Sequence, residues 1–254
     1  MNTKKLVIVD LDQTLLDSPK QQLPSLEFIQ TVKGSSPSVL VGCATGRSYS
    51  WTLPVLEASQ FTAPCILGGG AIIVDPKNFS IKEQLNLPAK QLDNIKQILS
   101  TFPDIRLLFN DYVSSDYLAG GWELSRLLNS DSCYLMDVIG LEHELANNLI
   151  DSFNGLVGVR AVKMNGYNPG LVDILVTHQN ATKTSAIDKV QKIVGINKDN
   201  TYGIGNGYND LQLFDAVGTK IAVGNAVTEL KNVADVIIGE VSTDPVTSYL
   251  RALS

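Results

Sequence analysis

The chain has 254 residues, of which 44% are hydrophobic and 18% are charged, and its formal net charge is −6. This length is enough for one large domain or two small ones with a sizeable core. The acidic balance argues against a nucleic-acid partner or an anionic membrane surface, because either would require a basic patch.

Neither disulfide bonding nor membrane insertion is indicated. The cysteines Cys43, Cys65 and Cys133 are scattered, odd in number and in no CxxC spacing, so neither a disulfide framework nor a zinc site is expected. The apolar run after Lys4 and Lys5 is too short for a signal peptide, and no run is long enough to span a membrane. We therefore expect a soluble cytoplasmic protein.

The first predicted element is a buried strand that ends in two acids. Residues 6–9 read LVIV, and Asp10 and Asp12 follow with one residue between them. Two carboxylates at that spacing repel each other, and one of them tends to keep its proton. We expect such a pair where a cation lies between the acids or where chemistry needs both.

Short apolar runs bounded by turn residues recur along the chain and predict further strands. They are continuous rather than alternating, as in strands buried on both faces of a parallel sheet. Helical patterns at 184–194 and 209–217 lie between the later runs. This alternation predicts an α/β fold with a doubly wound parallel sheet. The runs are 39–43, 66–67 with 72–74, 201–204, 221–223 and 236–238.

The middle of the chain has a different pattern. Residues 90–102 and 141–153 have the apolar spacing of amphipathic helices. Several extended segments are predicted near them, so this block is interpreted as an α+β module. The extended segments are 105–109, 133–139, 157–163 and 171–176.

Turn residues mark the two ends of this module. Asp75 is followed by proline at one end, and the sequence Asn-Pro-Gly occupies 168–170 at the other. We therefore expect a core domain formed by residues 1–75 plus 171–254, with residues 76–170 inserted as a cap domain.

Polar residues follow successive predicted strands or open the next helix. Because ligands bind outside the carboxyl ends of the strands of an open parallel sheet, these residues should converge on one rim. Acids, a hydroxyl, backbone N–H groups and a lysine suit a magnesium-bound phosphate: magnesium takes carboxylate and phosphate oxygens, and phosphate takes lysine, hydroxyl and N–H donors. The residues are Asp10, Asp12, Thr45, Gly46, Arg47, Lys183, Asn206 and Asp210.

A family resemblance rests on the same residues. DLDQTLLD at residues 10–17, CATGR at 43–47, Lys183 and GNGYND at 205–210 resemble, in this order, the four motifs of the haloacid dehalogenase superfamily of phosphohydrolases. The segment IAVGNA at 221–226 and the position of the insert resemble the Cof-type branch, which includes sucrose-phosphate and mannosyl-phosphoglycerate phosphatases. The resemblance implies a Rossmann-like core with a large α/β cap.

The resemblance also implies catalytic roles. Asp10 would be the nucleophile that forms an aspartyl-phosphate, and Asp12 the general acid and then the general base. Thr45 and the N–H of Gly46 would hold a phosphate oxygen, and Lys183 would neutralise the phosphate and Asp10. The expected activity is that of a magnesium-dependent phosphatase acting on a small phosphate monoester, such as a sugar phosphate.

The remaining ligand residues follow from the same resemblance. Arg47 is expected to bind substrate beside the phosphate. Magnesium is the expected cofactor, with Asp10, Asp12, Asn206 and Asp210 as its ligands.

Two departures from the family pattern bear on this expectation. The fourth motif usually has aspartate at the position of Asn206, so the metal site has one negative charge fewer. The branch commonly has Asn-Gly where this chain has Gly68–Gly70, so an amide near the substrate is missing. A catalytically weakened phosphate-binding protein and a phosphotransferase on the same fold therefore stay open as alternatives. A signalling receiver domain, which also uses strand-end acids, a threonine and a lysine, is a further alternative, against which the inserted module argues. Cap residues that could set specificity are Arg106, Asn110, Asp111, Trp122 and Asn165.

Overall fold

The computed structural model describes residues 4–18, 21, 23–102, 105–110, 133–166 and 168–253. Two of the cap candidates, Asp111 and Trp122, lie outside these ranges. Over the described ranges, no helix has the length and apolar character needed to cross a membrane.

The secondary structure alternates strands and helices at both ends of the chain. The strands are β1 (Lys5–Val9), β2 (Val39–Cys43), β3 (Cys65–Leu67), β4 (Ile72–Val74), β5 (Ile81–Gln84), β6 (Arg106–Phe109), β7 (Leu135–Leu141), β8 (Val159–Asn165), β9 (Val172–His178), β10 (Thr201–Gly205), β11 (Thr219–Ala222) and β12 (Val236–Ile237). The described helices are α1 (Leu26–Gly34), α2 (Tyr49–Ser59), α3 (Leu92–Ser100), α4 (His143–Asn154), α5 (Lys183–Val194), α6 (Leu211–Asp215), α7 (Thr228–Lys231) and α8 (Pro245–Leu253).

The core is a parallel sheet with the order β12-β11-β10-β1-β2. Residues 6–9 of β1, an interior strand, are 0% exposed, which requires cover on both faces of the sheet. Helix α1 packs against α2 and α8, and α5 packs against α6. The predicted α/β fold with a parallel sheet is confirmed.

One predicted pairing is wrong. Strands β3 and β4 were expected to be parallel members of the main sheet. Ile66 of β3 does form a parallel bridge with Ala44, which follows β2, but β3 and β4 pair antiparallel with each other and form a three-stranded sheet with β5. The reason is the turn at Gly68–Gly70, where all three residues have positive φ angles (57°, 63° and 115°). A reversal this short can connect only antiparallel strands, because a parallel connection needs a long crossover.

The cap region is formed by a four-stranded antiparallel sheet with the order β6-β7-β9-β8, which we call the second sheet. Strand β9 was expected to belong to the core domain, but it pairs with β7 and β8 of this sheet. Its side chains alternate, with Val172, Ile174 and Val176 in the cap cluster and Leu175 in the core cluster. We therefore propose that the inserted unit begins after Gln84 and ends at His178.

The alternation gives the second sheet two different faces. Residues such as Met136, Val138 and Ile174 pack into a cluster that also holds Ile95 of α3 and Leu149 of α4. The opposite face lies over the carboxyl ends of the core strands, where a cavity separates the two sheets. This arrangement brings residues of both sheets to one site.

Candidate active site

The centre of the site is a buried lysine between two carboxylates. Asp10 follows β1, Lys183 is the first residue of α5, and Asp210 lies in the turn after β10. The Nζ of Lys183 donates to Oδ1 of Asp10 at 2.8 Å and to Oδ1 of Asp210 at 2.6 Å. The three residues are 5%, 1% and 0% exposed, respectively. A cation therefore compensates the acid at the strand end, but it lies between Asp10 and Asp210 rather than between Asp10 and Asp12.

Asp210 is held by the protein through both carboxylate oxygens. Its Oδ1 accepts from Lys183, and its Oδ2 accepts from the N–H groups of Asn206 and Gly207, each at 2.9 Å. The sequence led us to expect a magnesium ligand at Asp210, but these contacts favour another role. We infer that Asp210 orients Lys183 and the loop that carries Asn206.

Thr14 follows β1 in the stretch DLDQT, and no role of its own was predicted for it, but in the structure it lies between Asp10 and Asn206. Its Oγ1 is 3.1 Å from Oδ2 of Asp10 and 3.1 Å from Oδ1 of Asn206. Because a hydroxyl has a single proton, Thr14 donates to only one of these oxygens at a time. The threonine of DLDQT at residues 10–14 was the sequence signal that could have indicated this role for Thr14.

Asp12 is bound by an arginine. The Nε of Arg47 is 3.1 and 3.0 Å from the two carboxylate oxygens of Asp12, and Nη2 is 2.5 Å from Oδ1. The guanidinium also lies over the ring of Trp51, 5.6 Å from its centroid. Arg47 was expected to bind substrate. The structure instead places its side chain, 3% exposed, against Asp12, which is 33% exposed.

Thr45 and Gly46 lie at the adjacent strand end. The Oγ1 of Thr45 accepts from the N–H of Arg47 at 3.1 Å, and its carbonyl accepts from the N–H of Gly69 at 2.9 Å. Gly46 lines the cavity, and a Cβ on it would lie 2.8 Å from Sδ of Met164 in the second sheet. Glycine at this position therefore lets the two sheets approach closely.

The electrostatics of the site favour a further cation. Burial and the charge of Asp210 raise the pKa of Asp10 to about 7, although Lys183 opposes the shift. Burial lowers the pKa of Lys183, but the two carboxylates outweigh it and the net shift is upward. The carboxylates of Asp10, Asp12 and Asp210 thus pair with only two cations, Lys183 and Arg47, so one negative charge in this group is uncompensated.

The donor set fits magnesium as that compensating cation. Oδ2 of Asp10 and Oδ1 of Asn206 are both oxygens, which is the ligand type that magnesium prefers, and one or two carboxylates suffice when phosphate and water complete the shell. Within the described ranges, no three His, Cys, Asp or Glu side chains are grouped as a protein-only metal cage would need. The residues present therefore fit a site that is completed by the substrate.

The cavity above these residues is lined by both sheets and has a volume of about 120 Å³. Of the cap candidates within the described ranges, Asn165 lines it and Arg106 does not. The Oδ1 of Asn110 instead accepts from the N–H groups of Tyr134 and Leu135.

Two acids that line the cavity were not predicted from the sequence. They are Asp137 in β7 and Asp173 in β9. Each is a single acid within an apolar strand pattern, and this was the available signal.

A parallel sheet with acids and a lysine at its carboxyl edge, covered by an inserted antiparallel sheet, defines a capped α/β enzyme. The chain belongs to the haloacid dehalogenase-like hydrolase family, whose profile matches residues 7–117 and 127–250. The predicted superfamily is confirmed. The resemblance to the sucrose-phosphate and mannosyl-phosphoglycerate phosphatases stays a prediction.

Individual relatives span nearly the whole chain. Phosphoglycolate phosphatase 1 of Saccharolobus solfataricus is 25% identical over 252 residues, which cover 98% of this chain and 95% of the relative. The Bacillus subtilis protein YcsE, a 5-amino-6-(5-phospho-D-ribitylamino)uracil phosphatase, is 24% identical over a region that covers 97% of this chain and 94% of YcsE. The solved structure of BT4131, a subclass IIB sugar phosphatase of the superfamily, matches with a TM-score of 0.79 at 16% identity over 98% and 99% of the two chains, which shows the shared fold.

Proposed function

We propose that this protein is a magnesium-dependent phosphatase that hydrolyses a small phosphate monoester, such as a sugar phosphate, through an aspartyl-phosphate on Asp10. The observation that carries the proposal is the buried Asp10 carboxylate, which lines the cavity while Lys183 and Thr14 contact its two oxygens. The phosphatase names of the relatives support the same reaction.

In the first proposed step, a carboxylate oxygen of Asp10 attacks phosphorus and the bond from phosphorus to the ester oxygen breaks. Lys183 neutralises the charge that accumulates, and Thr14 fixes the direction of the carboxylate. Thr45 and the N–H of Gly46 would hold a phosphate oxygen. A proton from Asp12 goes to the leaving alkoxide.

In the second step, water attacks the phosphoryl group, the bond from Asp10 to phosphorus breaks, and Asp12 takes the proton. Asp12 is bound by Arg47, so it must exchange part of that contact for the ester oxygen. We therefore propose that Arg47 positions Asp12, in addition to the substrate role expected from its motif.

Asp10, the Asn206 side chain and the backbone carbonyl of Asp12 would hold the magnesium. When bound, the ion supplies positive charge that stabilises the anionic nucleophile and phosphate. This agrees with the raised pKa of Asp10, which without a further cation would leave much of the nucleophile protonated near neutral pH.

The test is phosphate release from p-nitrophenyl phosphate over a magnesium series. We expect magnesium-dependent turnover that Asp10→Asn abolishes. Asp93→Asn, which alters an exposed acid on α3, is the matched control and should keep full activity. Turnover that does not require magnesium, or full activity of the Asp10→Asn protein, would reject the proposal.

The phosphate-binding alternative has one supporting observation, the amide of Asn206 where a carboxylate would bind magnesium more strongly. Asn206→Asp separates the two readings. A rate gain of several orders of magnitude with unchanged substrate affinity would indicate a weakened enzyme. Robust turnover of the wild-type protein would exclude that reading. Adding a sugar acceptor to the same assay would reveal a phosphotransferase.

A further inference from the structure

The second sheet presents two acids to the cavity. Asp137 of β7 and Asp173 of β9 both line it, on the strand faces opposite the cap cluster. Asp137 is only 9% exposed, and its Oδ1 is fully buried with no hydrogen-bond partner among the residues described. A buried oxygen without a donor costs free energy, so its presence in a cavity points to a donor supplied by a ligand.

The charges around Asp137 are of the same sign. Burial first, then the charges of Asp173 and Asp12, raise its pKa well above the usual range, so the protein without a ligand favours the protonated acid and a bound cationic group favours the carboxylate. Oδ1 of Asp173 accepts from the N–H of Gly140 at 2.8 Å, and burial raises the pKa of Asp173 to about 6. The nearby cation Arg47 is bound to Asp12.

The second sheet contributes no cation to the described cavity lining. On neighbouring β8, Lys163 is 5.8 Å from the centroid of the Tyr208 ring, outside that lining. An anionic group at this end of the cavity would therefore meet Asp137 and Asp173 without a compensating charge. A hydroxyl or an ammonium group would instead supply the missing hydrogen bond.

The geometry also fixes which part of the substrate reaches Asp137. The phosphate must lie at Asp10 and Gly46 on the core side, so the organic part of the ester extends toward the second sheet. Trp51, Leu108 and Ile139 provide apolar surface along this path.

We propose that Asp137 is a specificity-determining residue that accepts a hydrogen bond from a hydroxyl or ammonium group on the organic part of the substrate, and that it disfavours esters with a second anionic group at that end. This inference rests on the proposed phosphatase function. It separates the protein from its relative named for phosphoglycolate, whose organic part is a carboxylate.

Four small esters of similar size test the inference: 2-hydroxyethyl phosphate, phosphoethanolamine, n-propyl phosphate and phosphoglycolate. For the wild-type protein we expect kcat/KM for at least one of the two donor esters to exceed that for n-propyl phosphate by about tenfold or more, and phosphoglycolate to be poorest. The ratio of the hydroxyl ester to the ammonium ester identifies which donor Asp137 prefers.

Two substitutions separate charge from hydrogen bonding. Asp137→Asn keeps an acceptor but cannot become negatively charged, so it should lower kcat/KM for phosphoethanolamine relative to n-propyl phosphate by about tenfold and raise kcat/KM for phosphoglycolate. Asp137→Leu removes the acceptor and should erase the preference for both donor esters. Both variants should keep or raise the melting temperature, because each replaces a buried acid whose Oδ1 has no hydrogen-bond partner among the described residues.

The inference is overturned if wild-type protein hydrolyses phosphoglycolate as well as the donor esters, or if both variants leave all ratios unchanged. If Asp137→Leu does not fold, the kcat/KM ratios of Asp137→Asn still test the inference. Failure of the proposed function is a different result, since it would appear as no magnesium-dependent release from any ester, including p-nitrophenyl phosphate.

Discussion

Replacing Lys183 by methionine would remove the only described side-chain cation that contacts Asp10 and Asp210, whereas the apolar stem would stay nearly the same length. Lys183 is 1% exposed and lies within hydrogen-bond distance of both acids. The substitution therefore leaves two buried carboxylates close together with no described cation between them. Removing one partner of a buried ion pair costs about 3–5 kcal/mol, a large part of a domain stability of about 5–15 kcal/mol.

The pH dependence gives this prediction a second signature. Lys183 lowers the pKa of Asp10, so its removal moves that pKa further above the unfolded value. The folded protein then binds more protons than the unfolded chain, and its stability rises as pH falls. The stability deficit of Lys183→Met should thus be largest near pH 8 and shrink toward about pH 5.5.

Urea unfolding across this pH range measures the effect, with phosphate release measured in parallel. The control is Lys189→Met, which removes an exposed ion pair with Glu83 and should change stability by no more than about 1 kcal/mol at any pH. If Lys183→Met lowers the free energy of unfolding no more than Lys189→Met does, or if its loss of stability grows at low pH, the electrostatic argument is refuted.

Three further predictions concern the metal, the backbone and the wild-type pH profile. Asn206→Asp should lower the half-saturating magnesium concentration about tenfold and destabilise the metal-free protein, because it places a second carboxylate beside Asp10. An unchanged magnesium dependence would count against residue 206 as a magnesium ligand. Gly70→Ala should lower the melting temperature more than Gly170→Ala, because a Cβ at Gly70 would lie 2.3 Å from the carbonyl oxygen of Thr182, whereas Gly170, also with positive φ, has open space; equal losses would contradict this. The pKa of Asp10 is raised to about 7 by burial and Asp210, so metal-free wild-type protein should lose stability as pH rises through about 7 and Asp10 loses its proton. Added magnesium should weaken this pH dependence, and a flat stability profile without metal would be inconsistent with the raised pKa.

Much of the core could be predicted from the sequence because it depends on local patterns. A continuous apolar run such as residues 6–9 predicts a strand buried on both faces, and the structure shows it as an interior strand of the parallel sheet. The strand-end rule brought Asp10 and Lys183 together although they are far apart in sequence.

Other features depend on tertiary context and could not be predicted in this way. The run at 172–176 is compatible with either sheet, and only its pairing partners decide that it belongs to the cap. The acid at Asp210 has the residue type of a metal ligand, but hydrogen bonds from Lys183, Asn206 and Gly207 occupy both oxygens. Asp137 was missed because its significance is a buried Oδ1 without a hydrogen-bond partner among the described residues, which only three-dimensional packing shows.

The central claim is that Asp10 carries the phosphoryl group during turnover. Rapid acid quenching during hydrolysis of p-nitrophenyl phosphate, followed by proteolysis and mass spectrometry, would test it directly. We expect a phosphoryl group on the peptide that contains Asp10 in the wild-type protein, and neither this adduct nor phosphate release in Asp10→Asn. Phosphate release that persists in Asp10→Asn, or a phosphoryl group on a different residue, would contradict the account.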